Sequence, residues 1–322
     1  MRSSNESLVT PVSLLGGTAA IYASVLYHPS STVSPLSFLY MFLLAAHYAI
    51  QPRLSKKYIQ TSSRSVALVE EVTKTTMAAF LFACQPVKQV SDWTLSSSLT
   101  VAALPAVLYA VQGVLQYASH QHLDPVTFNG LSQTKTLSAA LWCYILLGKS
   151  QSPLQLVALV LLFGSAVLFQ GKTAKQTTDH FWQGVIPCVS ATMISGLAGA
   201  LSQKGLQFTG GQGRYPFFYA MEVSFYSAVT LIVTHGADWK GFFDGWTWQT
   251  MIPVVCKAAG GILTVLVHKY TGTVSKGFAL MFGLVLAGTM QSTLSREPMG
   301  GHQIIGTLLV MVSGWLHFTQ TR

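Results

Sequence analysis

Ten apolar runs, each close to the length that crosses a bilayer and parted by short polar stretches, decide what this chain can fold into. They fall at 36–53, 63–84, 98–118, 125–147, 153–171, 181–203, 216–235, 250–271, 274–295 and 302–319. A hydrocarbon core of about 30 Å takes roughly 20 residues of helix. Backbone polar groups in lipid must also be satisfied inside the segment that carries them. The expected fold class is therefore an all-α polytopic membrane protein with ten transmembrane helices. Composition agrees: half of the 322 residues are hydrophobic and 9% are charged, against about a quarter charged in an ordinary soluble domain.

The connections are too short to hold a separate activity, so function must reside in one transmembrane domain, residues 36–320. Ahead of it lies a segment, 1–35, whose stretch 8–28 is moderately apolar and diluted by Gly, Ser and Thr. It reads as an extra apolar segment: an eleventh span, an uncleaved signal anchor or an interfacial helix. A weak repeat divides the domain into halves 36–171 and 181–320, five spans each. The second span of each half carries acids (Glu70 and Glu71, then Glu222), and the fourth carries a lysine (Lys135, then Lys276). Five is odd, so the halves are expected to be inverted, as in many secondary transporters. Lys135 stands mid-run and Lys276 near the start of its run, which makes the match imperfect. Lys74, Lys135 and Lys257 lie inside spans, and the other Lys and Arg divide evenly between the two sides. Charge bias therefore gives no orientation.

Lys135 marks the candidate site. An ammonium at mid-membrane depth costs roughly 2.5–3.5 kcal/mol on insertion scales unless it meets a wet cavity or a partner. Around it, Phe128, Ser132 and Lys135 form a helical stripe with Asn129 and Gln133 adjacent. In the third span Tyr109 and Gln112 share a face with Gln116. Lysine serves as a point charge for phosphate, and amides read the edges of bases. Aromatic faces, amides and two lysines thus suit a flat base bearing phosphates. Glu222 completes the candidate substrate-binding set.

Each feature also has a packing account. Lys135 can pair with Glu70, Glu71 or Glu222, and Glu71 and Lys74 are spaced as a local pair. Amides glue membrane helices together, and the small faces Ser195–Gly196–Gly199 and Gly260–Gly261 let helices approach closely. Cys84, Cys143, Cys188 and Cys256 form no CxxC pair and read as packing residues. His120 and His122 are a poor metal case. No Walker glycine loop, HExxH or GxSxG is present, so no catalytic residue, metal or cofactor is expected. The net charge of +9 suits anionic lipid or an anionic solute, and no extramembrane basic domain exists for nucleic acid.

Several motifs in fixed order carry a family resemblance over about residues 36–320. They are YAVQ at Tyr109–Gln112, LD at Leu123–Asp124, QTK at Gln133–Lys135, SPLQ from Ser152, SGLAG from Ser195, GGIL from Gly260 and KGFA from Lys276. The chain resembles the nucleotide-sugar transporter family. FNGLSQTK, the stretch from Phe242 and GGILTVLV leading to SKGFA resemble its plant endoplasmic-reticulum branch for UDP-GlcNAc and UDP-GalNAc. The resemblance implies the drug/metabolite transporter fold with both termini cytosolic. It also implies exchange of a cytosolic UDP-sugar for lumenal UMP across the Golgi or endoplasmic-reticulum membrane. Lys135 and Lys276 would meet the phosphates, and Tyr109, Phe128, Ser132 and Gln133 would line the nucleoside pocket. Departures from the family pattern fall at Gly113 and Val114, at YTGTVS from Tyr270, and at Tyr219, Ala220 and Glu222. The implied partners are nucleotide sugar, nucleoside monophosphate and membrane lipid, and a homodimer is compatible with the reading. A sugar-phosphate or other metabolite or drug transporter of the same fold, or a non-transporting scaffold, remains the alternative.

Overall fold

The computed structural model describes residues 34–85, 93–123, 128, 131–170, 181–208, 213–235, 239–295 and 300–319. The apolar segment 8–28 and Asn129 lie outside these residues. Among them ten main helices follow the ten apolar runs: α1 (Pro35–Tyr58), α2 (Ser63–Ala83), α3 (Leu104–His122), α4 (Thr134–Leu147), α5 (Pro153–Gln170), α6 (Ile186–Phe208), α7 (Pro216–His235), α8 (Met251–Tyr270), α9 (Thr273–Ser295) and α10 (Gly301–Thr319). Five stretches are long and apolar enough to cross a membrane by length and composition: Leu95–Gln116, Trp182–Gln207, Pro216–His235, Trp248–Tyr270 and Thr273–Leu294. The chain is a multi-pass membrane protein.

Local chemistry explains several boundaries. Ser34 caps α1 by accepting from the Ser37 N–H at 3.2 Å, with Pro35 at the first helical position. There the missing N–H of proline costs nothing. Lys56 and Lys57 close α1 at the end where the helix dipole favours cations. A short helix, Leu95–Ser98, and a π-helical turn, Leu99–Ala103, lead into α3, and another π turn, Phe181–Val185, leads into α6. Each π turn is followed by a proline at the second position of the α-helix, Pro105 or Pro187. Proline can neither donate to the carbonyl four residues back nor sit against it, which loosens that turn. Gly148 ends α4 with φ 65°, a left-handed conformation that glycine takes without Cβ strain.

The closest-packed pairs join the first five helices to the last five: α5 with α10, α3 and α4 with α6, α2 with α7 and α8, and α1 with α8 and α9. Replacing each helix by the one five places on turns α3–α6 into α8–α1 and α4–α6 into α9–α1. The pairs α2–α7, α4–α9 and α5–α10 map onto themselves, so the pairing of helices is two-fold symmetric. One apolar cluster draws on α1, α4, α5, α9 and α10, and a second draws on α2, the turn Leu99–Ala103, α7 and α8. Helices α6 and α8 contribute to both, and Tyr40 and Leu263 pack against both.

One span departs from expectation. Among the described residues of the run 125–147, Thr134–Leu147 forms the continuous helix α4, with helical residues at Phe128 and Leu131–Ser132 and a turn at Gln133. Fourteen residues extend about 21 Å, short of the hydrocarbon thickness. Lys135 therefore stands in the first turn of a short helix rather than midway along a long one. Lys276 likewise stands in the first turn of α9, so the two halves match better than their sequences do. Cys143 and Cys188 are buried as expected, whereas Cys84 is exposed at the end of α2.

Candidate functional site: a cationic seam between helices

Two close approaches set the lysines opposite each other. Gly277 packs on the Thr136 side chain, so the preceding residues, Lys276 and Lys135, lie at one level of the bundle. Gly196 of α6 packs on the backbone of Ser138 and Ala139. Beside it Thr134 donates to Thr192 at 2.9 Å, and Trp142 donates to the Met193 carbonyl at 3.1 Å. These contacts hold one side of α4 against α6 and the opposite side against α9, with Lys135 between them facing the interior. The Lys135 and Lys276 ammoniums are near enough to repel each other. The Lys276 Nζ lies 6.0 Å from the centroid of the Tyr109 ring, at the outer limit of a cation–π contact.

All three intramembrane acids among the described residues are engaged elsewhere. Glu70 pairs with Lys257 at 3.5 Å, Glu71 with Lys74 at 2.8 Å and Glu222 with Arg214 at 3.4 Å. None pairs with Lys135, and neither Lys135 nor Lys276 makes an ion pair among the described residues. Two unneutralised cations thus face a polar seam lined by other helices. Ser202 of α6 lies beside the phenols of Tyr109 and the fully buried Tyr219. The Tyr109 and Tyr48 hydroxyls are within electrostatic reach of each other, and Thr264 adjoins Tyr48.

The other sequence candidates scatter. Gln112 shares the α3 face with Tyr109, and its Oε1 is buried without a partner among the described residues. Phe128 is buried in a small cluster with Leu123, Leu131, Val185 and Cys188, and the Ser132 hydroxyl meets the Cys188 sulfur at 3.8 Å. Both pack against the start of α6. Gln133 points to the opposite side of α4 from Lys135, into a crevice with Leu159, Leu162, Phe163 and Met281. Glu222 binds Ser98 at 2.6 Å and Trp93 at 2.8 Å, tying the entry of α3 to α7. Tyr48, Ser202, Tyr219 and His268 were not singled out for the site in the sequence. Their only signal there is a polar group inside an apolar run, which packing residues share. No group of three or more potential metal ligands occurs among the described residues.

The fold is that of a polytopic helical membrane protein with two half-buried lysines set together, neither ion-paired among the described residues. Comparison with known proteins sharpens that class. The nucleotide-sugar transporter profile matches residues 31–318, and the chain belongs to that family. It is 33% identical over 301 residues to the UDP-N-acetylglucosamine transporter ROCK1 of Arabidopsis thaliana, covering 88% of this chain and 92% of that one. It is 30% identical over 198 residues to the UDP-galactose translocator of Bos taurus, covering 58% of this chain and about half, 49%, of the relative. A solved structure with 11% identity superposes with a TM-score of 0.69 over 87% of this chain and 95% of its own. That likeness establishes the fold alone.

Proposed function

We propose that this protein exchanges a cytosolic UDP-sugar for lumenal UMP by alternating access in a Golgi or endoplasmic-reticulum membrane. The single observation that carries the reading is the pair of first-turn lysines, Lys135 and Lys276, which have no acidic partner among the described residues. Such a pair is costly when the site is empty and becomes favourable when phosphate oxygens accept its hydrogen bonds. A diphosphate ester and a nucleoside monophosphate near pH 7 each carry about two negative charges, so two lysines suit both and exchange moves little net charge. Tyr109 on α3 supplies an aromatic face beside Lys276 for the nucleoside, and Gln112, one turn on, supplies an amide. Relatives named for UDP-N-acetylglucosamine and UDP-galactose support a UDP-sugar as cargo.

The empty carrier keeps two cations in mutual repulsion, so it reorients poorly and exchange outruns uniport. Uptake of labelled UDP-GlcNAc, UDP-GalNAc and UDP-galactose into proteoliposomes loaded with UMP, CMP, GMP or nothing tests this. Stimulation by UMP, lost in Lys135→Ala protein that still inserts and folds, is the expected result. Folded protein indifferent to every nucleotide would sink the reading and move the assignment to a sugar-phosphate carrier or a scaffold.

A further inference from the structure

His268 is the least explained polar side chain near the lysines. It sits two residues before the end of α8 and is 2% exposed. Its Nε2 is buried with no hydrogen-bond partner among the described residues. Buried ring nitrogens nearly always have partners, and one left without a partner is destabilising. The backbone carbonyl of His268 is occupied by the Gln207 amide at 2.9 Å, so the main chain is held while the ring is left open.

The neighbours of this ring lie in register along α8. Gly261, Thr264 and His268 are spaced i, i+3 and i+7, which is one face of a helix. Gly261 packs on the stem of Lys74, Thr264 adjoins the Tyr48 hydroxyl, and the His268 ring is within electrostatic reach of the Lys276 ammonium. The stripe therefore forms one wall of the seam, from the Glu71–Lys74 pair at one end to Lys276 at the other. In its Nε2–H tautomer the ring offers a donor beside the Lys276 ammonium, and an anion with several acceptor oxygens complements both.

We propose that His268 is a third phosphate-contacting residue, its Nε2–H donating to a phosphate oxygen of the nucleotide held by Lys135 and Lys276. This rests on the proposed function and goes beyond it: the site would grip phosphate from α4, α8 and α9 together. A nucleoside lacking phosphate would then leave the imidazole idle.

The test is equilibrium binding to the purified full-length protein with labelled UMP, competed by uridine. His268→Ala is expected to weaken UMP by about tenfold or more, the loss of one hydrogen bond to a charged acceptor, with uridine competition unchanged. Glutamine places its amide nitrogen near the Nε2 position and asparagine near Nδ1. His268→Gln should therefore keep most of the affinity and His268→Asn should not. That pair carries the comparison if the alanine variant misfolds, with melting temperature as the check on each. Unchanged UMP affinity in the alanine and asparagine variants would overturn the inference alone, as would equal losses for UMP and uridine. Wild-type protein that binds no nucleotide would overturn the proposed function and this inference with it.

Discussion

Replacing Lys135 with methionine should move stability and function in opposite directions. Methionine keeps the stem and removes the charge. In the empty protein Lys135 has no acidic partner among the described residues, and Lys276 repels it. The charge therefore costs up to about 2.5–3.5 kcal/mol, reduced where the seam is wet. Relief of about 1–2 kcal/mol should raise the melting temperature by several degrees, at about 2–4 °C per kcal/mol for a chain somewhat smaller than this one. Ligand should act the other way. Wild type with UMP at 100 times its Kd gains about 2.7 kcal/mol, and Lys135→Met should gain almost none at that concentration. Thermal unfolding in detergent, with and without UMP, reads both effects in one experiment. A Lys135→Met protein that melts well below wild type without ligand would refute the reasoning, because a lysine already satisfied in the empty protein loses a bond when neutralised.

Two further predictions concern the frame around the seam. Glu222→Ala strands Arg214 and removes the acceptor of Ser98 and Trp93. It should cost about 3 kcal/mol or more, as removal of one partner of a buried pair does, and lower the melting temperature while folded protein keeps its UMP affinity. Gly196→Ala would place a methyl about 2.6 Å from the Ser138 carbonyl carbon, so α6 must withdraw from α4. Overpacking of this kind costs about 1–3 kcal/mol. UMP-stimulated uptake should fall further than folded yield, because α4, which loses its close contact with α6, carries Lys135.

The helix count was legible because lipid imposes one rule on every span, and all ten apolar runs became helices. The lysine pair was legible for the same reason, since charge inside an apolar run stands out. What failed to show were the geometric decisions. Nothing in FNGLSQTKTLSAALW announces that the continuous helix begins at Thr134, yet that start brings Lys135 level with Lys276. Phe128 and Ser132 fall in helical register with Lys135 in the sequence, yet the fold sets them against Cys188 at the start of α6. Glu222 looked like a partner for a lysine because intramembrane acids are rare. Its neighbours, Trp93, Ser98 and Arg214, come from segments whose proximity only the fold supplies. In the sequence His268 is a histidine near a helix end with many ordinary explanations, and its unfilled Nε2 becomes visible only in three dimensions.

The interlacing of the two halves has a consequence for biogenesis. Helices α1 to α5 find their closest partners in α6 to α10, and the pairings within each half are slighter. A chain synthesised from its N-terminus inserts its first five helices before the surfaces they pack against exist. Until then Lys135 has neither α6 nor α9 beside it, and the α4 face that Gly196 will pack on meets only lipid. The first half must wait in the membrane as separately inserted helices, and the bundle closes when the second half threads between them. Truncation after α5 should therefore yield substrate for quality control rather than a half-sized carrier.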